Sequence, residues 1–460
     1  MRIYAKNLLS KILPRPITEW AREVTNYLPN SWKYGKPYKD ALSLLRQSDT
    51  WDLNQLRSYQ QKHLRLLIDH SYANVPYYKE VFRANGLSPK DIQTPEDIQK
   101  LPFLTKEIVR KRKKDLLASN LSFLSREQAR TSGSTGSPLT FFMDRTTRPF
   151  ERAIARRHLE WLGYKPGEPI AFFRPLPLAA IRKDHVYTKL SNELRFSFLV
   201  VNRDRLNRMV DRLQKFKPAF ISAWPSSLYI LARWMQREKK TIPPPKFLIT
   251  GSENLYPHIK ELIESVFKAR VIDHYGQEES VAVAIQCALG QGYHVQMENS
   301  IVELNPYGDD LWEIVGTCLH NFAMPFIRYK TGDLAKKVED ACPCGRKHPL
   351  LSEIFGREGD FVVTPEKNLV SPLILNYIFH KQEEIREGQI IQEDLKSFRI
   401  KVVPWDGISS ATKEGLVRDL GSALESSNIR MAVEEVEDIP CTVGCKRPFV
   451  ISHVRMENHL

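Results

Sequence analysis

Apolar residues first recur at helical spacing. Leu53, Leu56, Tyr59 and His63, then Leu64, Leu67 and Ile68, fall on a similar face and predict a helix through this stretch. Residues 1–105 read as a mostly helical lead-in, broken into short pieces by Pro76, Pro89, Pro95 and Pro102. From Arg130 the pattern changes. Ala219-Phe220-Ile221, Phe247-Leu248-Ile249 and Val271-Ile272 are short apolar runs ending in polar or small residues, as in the buried strands of a mostly parallel sheet. Helical segments at Leu206–Lys215 and Leu228–Glu238 separate them, and this alternation predicts an α/β body. Near Gly356 a smaller unit begins. Phe398, Ile400 and Val402 alternate as a strand, Leu416, Leu420 and Leu424 stripe a helix, and Met431 to Val436 reads as another strand. We therefore expect a large α/β domain over 1–355 and a small α+β domain over 356–460.

Composition narrows the class. A chain of 460 residues holds two or three domains at roughly 150 residues each. With 42% hydrophobic and 27% charged residues it is ordinary globular material, not collagen-like, disordered or membrane-spanning. No run approaches the ~20 apolar residues of a membrane-crossing helix. Six cysteines are too sparse for a disulfide scaffold, which predicts a reducing, cytoplasmic setting. Met1 to Arg15 lacks an apolar run and a small-residue cleavage site, so no secretory signal is expected. The net charge of +14 raises the question of nucleic acid, and Lys106, Arg110, Lys111, Arg112, Lys113 and Lys114 form the densest basic cluster. No zinc-finger, RRM or helix-turn-helix spacing accompanies it, so a solvated helix face is the favoured reading. The excess would equally attract an anionic small molecule or a membrane surface.

The chemistry concentrates in Thr131-Ser132-Gly133-Ser134-Thr135-Gly136-Ser137-Pro138. Two glycines let backbone approach a ligand, and the hydroxyls offer donors to anionic oxygens. Leu139 to Met143 reads as a strand and no Gly-Lys pair is present, so this is not a strand–loop–helix phosphate loop. A Ser/Gly-rich surface turn is the alternative. Further segments change the weighting: Tyr275-Gly276-Gln277-Glu278-Glu279, then Arg328-Tyr329-Lys330-Thr331-Gly332-Asp333, then Gly356-Arg357, then Lys446. In that order they resemble the adenylate-forming superfamily of acyl-CoA synthetases. The branch they are most similar to is that of phenylacetate–CoA ligase, with the CapK-like proteins associated with capsular polysaccharide genes. The resemblance spans roughly residues 70–460 and includes Val75-Pro76-Tyr77-Tyr78 and Leu101-Pro102-Phe103.

The resemblance implies an adenylate-forming fold with a large N-terminal domain and a small mobile C-terminal lid. It implies that a carboxylate attacks the α-phosphate of ATP, giving an acyl adenylate and pyrophosphate, with positioning and electrostatics supplying the catalysis. Ser132, Gly133, Ser134, Thr135, Gly136 and Ser137 would cradle the β- and γ-phosphates. Thr135 and Glu279 would hold Mg²⁺, a hard cation that takes oxygen ligands. Tyr275, within Tyr275-Gly276-Gln277, would stack on the adenine, with Gly251, Ser252 and Glu253 along its edge. Asp333 would accept from the ribose hydroxyls, and Arg357 would contact the same region. Lys446 would act as a point charge on the carboxylate or α-phosphate. Two departures stand out. Cys445 precedes Lys446 where the family has glycine, and Gly359 occupies the hinge position where relatives often carry an acidic residue.

Cys287, His294, Cys342 and Cys344 supply three thiolates and an imidazole, a donor set suited to structural Zn²⁺, and they look like the zinc-bearing members of this family. His348 is an alternative to His294. Cys318 reads as core, and Cys441 and Cys445 as a fortuitous pair. The expected function is ATP-dependent adenylation of a carboxylic acid followed by thioester formation with CoA. The alternatives are transfer to an amine or hydroxyl acceptor in polysaccharide or lipid biosynthesis, and a non-catalytic nucleotide- or nucleic-acid-binding protein. An acyl pocket is expected between Trp161 and Tyr275, with Trp224-Pro225-Ser226 as a wall. The residues do not fix the acid or the oligomeric state, although relatives of this size are commonly homodimers.

Overall fold

The computed structural model describes residues 28–122, 125–131, 139–173, 185–197, 203–308, 310–338, 340–357, 362–365, 369–370, 375–376, 378–379, 381–424, 429–440 and 448–454. The lead-in is helical as expected. Leu53–Asn74 starts on a reciprocal cap, in which the Asp52 side chain accepts from Gln55 N–H and the Gln55 side chain from Asp52 N–H. Pro76 opens the next helix, Pro76–Ala84, instead of merely ending the last, because its missing N–H falls where a helix needs none.

Strands β1 (Arg126–Arg130) and β2 (Thr140–Asp144) form an antiparallel pair. Next come β3 (Ile170–Phe173), β4 (His185–Thr188), β5 (Glu193–Phe196), β6 (Phe220–Ala223), β7 (Phe247–Gly251) and β8 (Arg270–Gly276). They are followed by β9 (Val283–Gln286), β10 (Tyr293–Val295), β11 (Ser300–Gly308), β12 (Leu311–Cys318), β13 (Tyr329–Lys337) and β14 (Leu350–Arg357). Among the described residues these last twelve build one sheet in the order β11-β12-β13-β14-β10-β9-β8-β7-β6-β3-β5-β4. The expectation of a mostly parallel sheet needs correction. Only the run β8-β7-β6-β3-β5 is parallel, and the other pairings are antiparallel.

The parallel run is buried on both faces. Ile221, Ala223, Leu248 and Val271 face the helices Arg203–Phe216, Pro225–Arg237 and Pro257–Phe267. The alternate residues Phe220, Ile249 and Ile272 pack with Leu162 and Tyr164 on the other side. That period of two within continuous apolar runs is why these strands were legible. A second core joins helices Lys36–Ser48 and Thr147–Trp161 to β9.

The C-terminal segments form a separate four-stranded sheet: β17 (Ile385–Asp394) lies between β18 (Ser397–Pro404) and β20 (Val450–Ser452), and β19 (Arg430–Glu435) pairs outside β18. Between them a two-stranded ribbon, β15 (Val362–Val363) and β16 (Leu369–Val370), precedes the sheet. Helix Ser410–Ala423 crosses from β18 to the parallel β19, burying Leu416 and Leu420 against Phe398, Ile400 and Val402, the stripe and strand read from the sequence.

Candidate active site

The parallel strands end in a cleft of about 1740 Å³, in the place where open α/β sheets bind ligands, outside the strands' carboxyl ends. β6 delivers Trp224, Pro225 and Ser226; β7 delivers Gly251, Ser252 and Glu253; β8 delivers Tyr275 to Glu279; and β13 delivers Asp333. Backbone shape makes the delivery possible. A Cβ on Gly251 would lie 2.6 Å from the His274 carbonyl oxygen, so only glycine lets β7 run that close to β8. Ser252 then turns with φ +71°, a left-handed conformation rare for a side-chain-bearing residue and frequent where a ligand site over-determines it. The Glu253 carboxylate accepts from Ser226 N–H at 3.0 Å, which ties the ends of β6 and β7.

Two predicted nucleotide residues meet directly: the Tyr275 hydroxyl donates to Asp333 Oδ2 at 2.8 Å, although they stand 58 positions apart. Gln277 donates to the Tyr275 hydroxyl and accepts from Ala282 N–H, fixing the turn after β8. Asp333 is 6% exposed, its N–H bonded to Thr331 Oγ1, and it lies opposite Arg357 in the β13–β14 register. Glu279 is 4% exposed, and the Tyr329 hydroxyl donates to its Oε1 at 3.2 Å. A buried carboxylate beside a phenol at the cleft is an oxygen donor suited to Mg²⁺. Arg328, in the same motif, faces away: its guanidinium bonds Glu303 and the Gln99 and Leu101 carbonyls and lies 4.1 Å over Phe103. The Leu101-Pro102-Phe103 signature is thus the seat of this arginine.

Ser132 to Ser137, including Thr135, and Lys446 lie outside the described residues, as do Cys441 and Cys445. Their flanks are placed. Thr131 N–H bonds the Leu139 carbonyl at 2.9 Å, and Thr131 Oγ1 accepts from Leu139 N–H at 2.8 Å, closing a strand–loop–strand hairpin whose base, Arg130 and Thr131, lines the cleft. Pro448, two residues beyond Lys446, also lines it. Of Arg357 only the backbone is described.

Sequence reasoning missed part of the wall. Besides Trp224-Pro225-Ser226, the cleft is lined by Tyr38 and Leu42 of the lead-in and by Arg148, Glu151, Arg152 and Arg156 of one helix. Arginines four apart were a visible signal for a shared face. Glu151 is a further titratable group: burial foremost, and Glu278 after the opposing Arg148, push its carboxyl up to about 7. The basic cluster behaves as a solvated face, with Arg112 paired to Glu80 at 2.7 Å and Asp115 at 2.5 Å.

Cys287, His294, Cys342 and Cys344 bring their donor atoms within 4.8 Å of one another. Cys287 Sγ lies 3.6 Å from Cys342 Sγ, far too long for a disulfide at about 2.05 Å. Cys344 Sγ lies 3.5 Å from His294 Nε2. Tetrahedral zinc with Zn–S about 2.3 Å and Zn–N about 2.05 Å sets edges of about 3.8 and 3.6 Å, so the set fits the ion. His348 is not part of it; its Nε2 is 3.1 Å from the Glu298 carboxylate instead. The cluster pins β9 and β10 to the segment between β13 and β14. Cys318 is fully buried core, as read.

Comparison with known proteins agrees with this geometry. Residues 362–453 match the family described as CapK C-terminal domain. Protein CapK of Staphylococcus aureus is 23% identical over 92% of this chain and 94% of its own length. A phenylacetate-coenzyme A ligase of Thermus thermophilus is 26% identical over 76% of this chain and 82% of its own. A crystal structure of 2-hydroxyisobutyryl-CoA ligase in the postadenylation state with 2-HIB-AMP superposes with a TM-score of 0.67, at 20% identity, covering 90% of this chain and 93% of that one. The fold is therefore that of the adenylate-forming enzymes. In sequence, the chain is similar to CapK and to the phenylacetate–CoA ligases.

Proposed function

We propose that this chain is an AMP-forming acid–CoA ligase. The observation that carries the reading is the convergence of Ser252 and Glu253, Tyr275 to Glu279, and Asp333 on one cleft at the ends of parallel strands. A carboxylate oxygen attacks the α-phosphorus of ATP, the bond to the β-phosphate oxygen breaks, and pyrophosphate leaves. The thiol sulfur of CoA then attacks the acyl carbon, the bond to the phosphate oxygen breaks, and AMP leaves with the thiol proton passing to solvent or a base. Asp333 accepts from the ribose, with Arg357 beside it, and Tyr275 packs on the adenine. Thr135 and Glu279 would hold Mg²⁺, whose contribution is to neutralise charge on the phosphates. Ser132 to Ser137 bind the outgoing phosphates, and Lys446 offsets negative charge at the reacting carboxylate. Residues 356–460 act as a lid that turns at Gly359 between the half-reactions. The cysteine–histidine cluster is read as structural zinc, and the setting as cytoplasmic; among the described residues no helix is long and apolar enough to cross a membrane.

A second reading keeps adenylation and sends the acyl group to an amine or hydroxyl instead of to CoA. The test is pyrophosphate exchange into ATP across a panel of acids, then AMP release with and without CoA. Acid-dependent exchange that Lys446→Ala abolishes, with CoA-dependent turnover, supports the ligase. Exchange without CoA dependence supports the second reading, and no exchange with any acid refutes both.

A further inference from the structure

We propose that the acid activated here carries a second anionic group, received by arginines in the outer half of the cleft. This deepens the ligase reading and rests on it. Arg148, Arg152 and Arg156 stand four residues apart on helix Thr147–Trp161 and all line the cleft. Like charges at this spacing cost a helix about 0.2–0.5 kcal/mol per pair, so helix stability does not explain the row. Arg148 is committed, bonded to Glu278 at 2.6 Å and Glu151 at 3.3 Å beside the turn after β8. Arg156 lies eight residues, about 12 Å, further along the axis, away from where the triphosphate is expected. It stacks 4.3 Å from the Tyr164 ring, and its Nε shares the Glu160 carboxylate with Arg46. Arg152 is exposed to the cleft, with Tyr34 beside it and no carboxylate within ion-pair distance among the described residues.

Within ion-pair distance, three guanidiniums of the outer half, Arg46, Arg152 and Arg156, therefore meet a single carboxylate among the described residues, that of Glu160. Arg195, which also lines it, is cancelled by Glu193 at 2.5 Å. Apolar walls from Leu42, Leu159, Tyr164 and Phe172 accompany them. A neutral hydrocarbon tail would leave that excess charge facing it. A ring or short chain ending in a carboxylate or phosphate matches both the walls and the charged, fork-shaped donors. The phosphates of CoA are a competing source of negative charge, and the adenylation half-reaction, which contains no CoA, separates the two.

The experiment is pyrophosphate exchange without CoA on matched acids, phenylacetate against 4-carboxyphenylacetate and pentanoate against glutarate. It uses the parent protein, Arg156→Gln and, in case loss of the Glu160 contact prevents folding, the exposed Arg152→Gln. The doubly anionic member of a pair is expected to have the higher kcat/KM by about tenfold or more. The substitutions are expected to shrink that ratio by about tenfold to hundredfold, the worth of a hydrogen bond to a charged group. Exchange that favours the neutral-tailed acids, or a ratio unmoved by both substitutions, overturns the proposal and leaves the ligase reading standing. Absence of exchange with every acid overturns the ligase reading itself, and the proposal with it.

Discussion

Arg157 offers the sharpest test of how the scaffold is held. Its side chain is fully buried, as is that of Glu298, and Nη1 lies 2.6 Å from Glu298 Oε1. The same guanidinium bonds the Leu45 carbonyl at 3.2 Å, Ser48 Oγ at 3.1 Å and Gln296. Helix Lys36–Ser48, the arginine-bearing helix and the segment after β10 thus share one ion pair. Removing one member leaves the other charged and dry, which costs about 3–5 kcal/mol; replacing both by apolar groups of similar volume costs far less. Arg157→Leu and Glu298→Leu should therefore each lower stability by about 3–5 kcal/mol, and the double variant by at least about 2 kcal/mol less than their sum. Urea unfolding at pH 7, with hydrogen exchange over residues 293–299 as the local readout, measures both. The pH dependence has a definite sign. Burial alone would raise the Glu298 carboxyl, but Arg157 and His348 outweigh it and hold it well below the usual range. Its contribution is complete above the unfolded carboxylate value near 4.5 and disappears as pH falls toward the folded value. Parent and Glu298→Gln stabilities should converge as the solution is acidified. An Arg157→Leu protein within about 0.5 kcal/mol of the parent would show that this buried pair does not hold the scaffold.

Other outcomes follow from the same geometry. Purified protein should carry about one zinc per chain, and Cys342→Ser should lose it together with protection of the β9–β10 hairpin in hydrogen exchange; metal-free protein with unchanged protection in chelator contradicts the site. Glu151, pushed up to about 7, should give the exchange rate an ionisation near that pH that Glu151→Gln removes; an identical profile in the variant contradicts its place in the cleft. The C-terminal sheet docks through Trp405, whose ring lies 5.8 Å from buried Trp234, and through Asp406, which pairs with Arg203 and with Arg237 at 2.5 Å. Those ion pairs are solvent-exposed and worth about 0–1 kcal/mol each, whereas the indole carries apolar area. Trp405→Ala should therefore raise hydrogen exchange in helix Pro225–Arg237 more than Asp406→Ala, and the reverse order would show that charge holds the dock.

Periodicity reached the parallel strands and the C-terminal strand–helix–strand unit because each alternates or stripes over several residues, as Phe398, Ile400 and Val402 do. It did not reveal the antiparallel half. Tyr293–Val295 is only three residues long and fully buried, so nothing in it distinguishes parallel from antiparallel pairing. Motif spacing brought Tyr275, Glu279 and Asp333 to one cleft and the cysteines to one cluster. It gave no hint that Arg157 and Glu298 would pair across 141 positions, since a buried ion pair has no local signature. Nor did the motifs mark the lead-in helix as a wall. Tyr38 and Leu42 become a wall only because the helix Thr147–Trp161 packs against them, a contact between distant segments with no local signature.

In the proposed reaction these segments surround a single magnesium-bound nucleotide. A crystal soaked with ATP and Mg²⁺ measures this directly. The ribose hydroxyls are expected on the Asp333 carboxylate, the adenine against Tyr275 and the metal at Glu279, all in the cleft at the ends of β7 and β8. Nucleotide bound elsewhere on the surface, with Asp333 and Glu279 untouched, would contradict it.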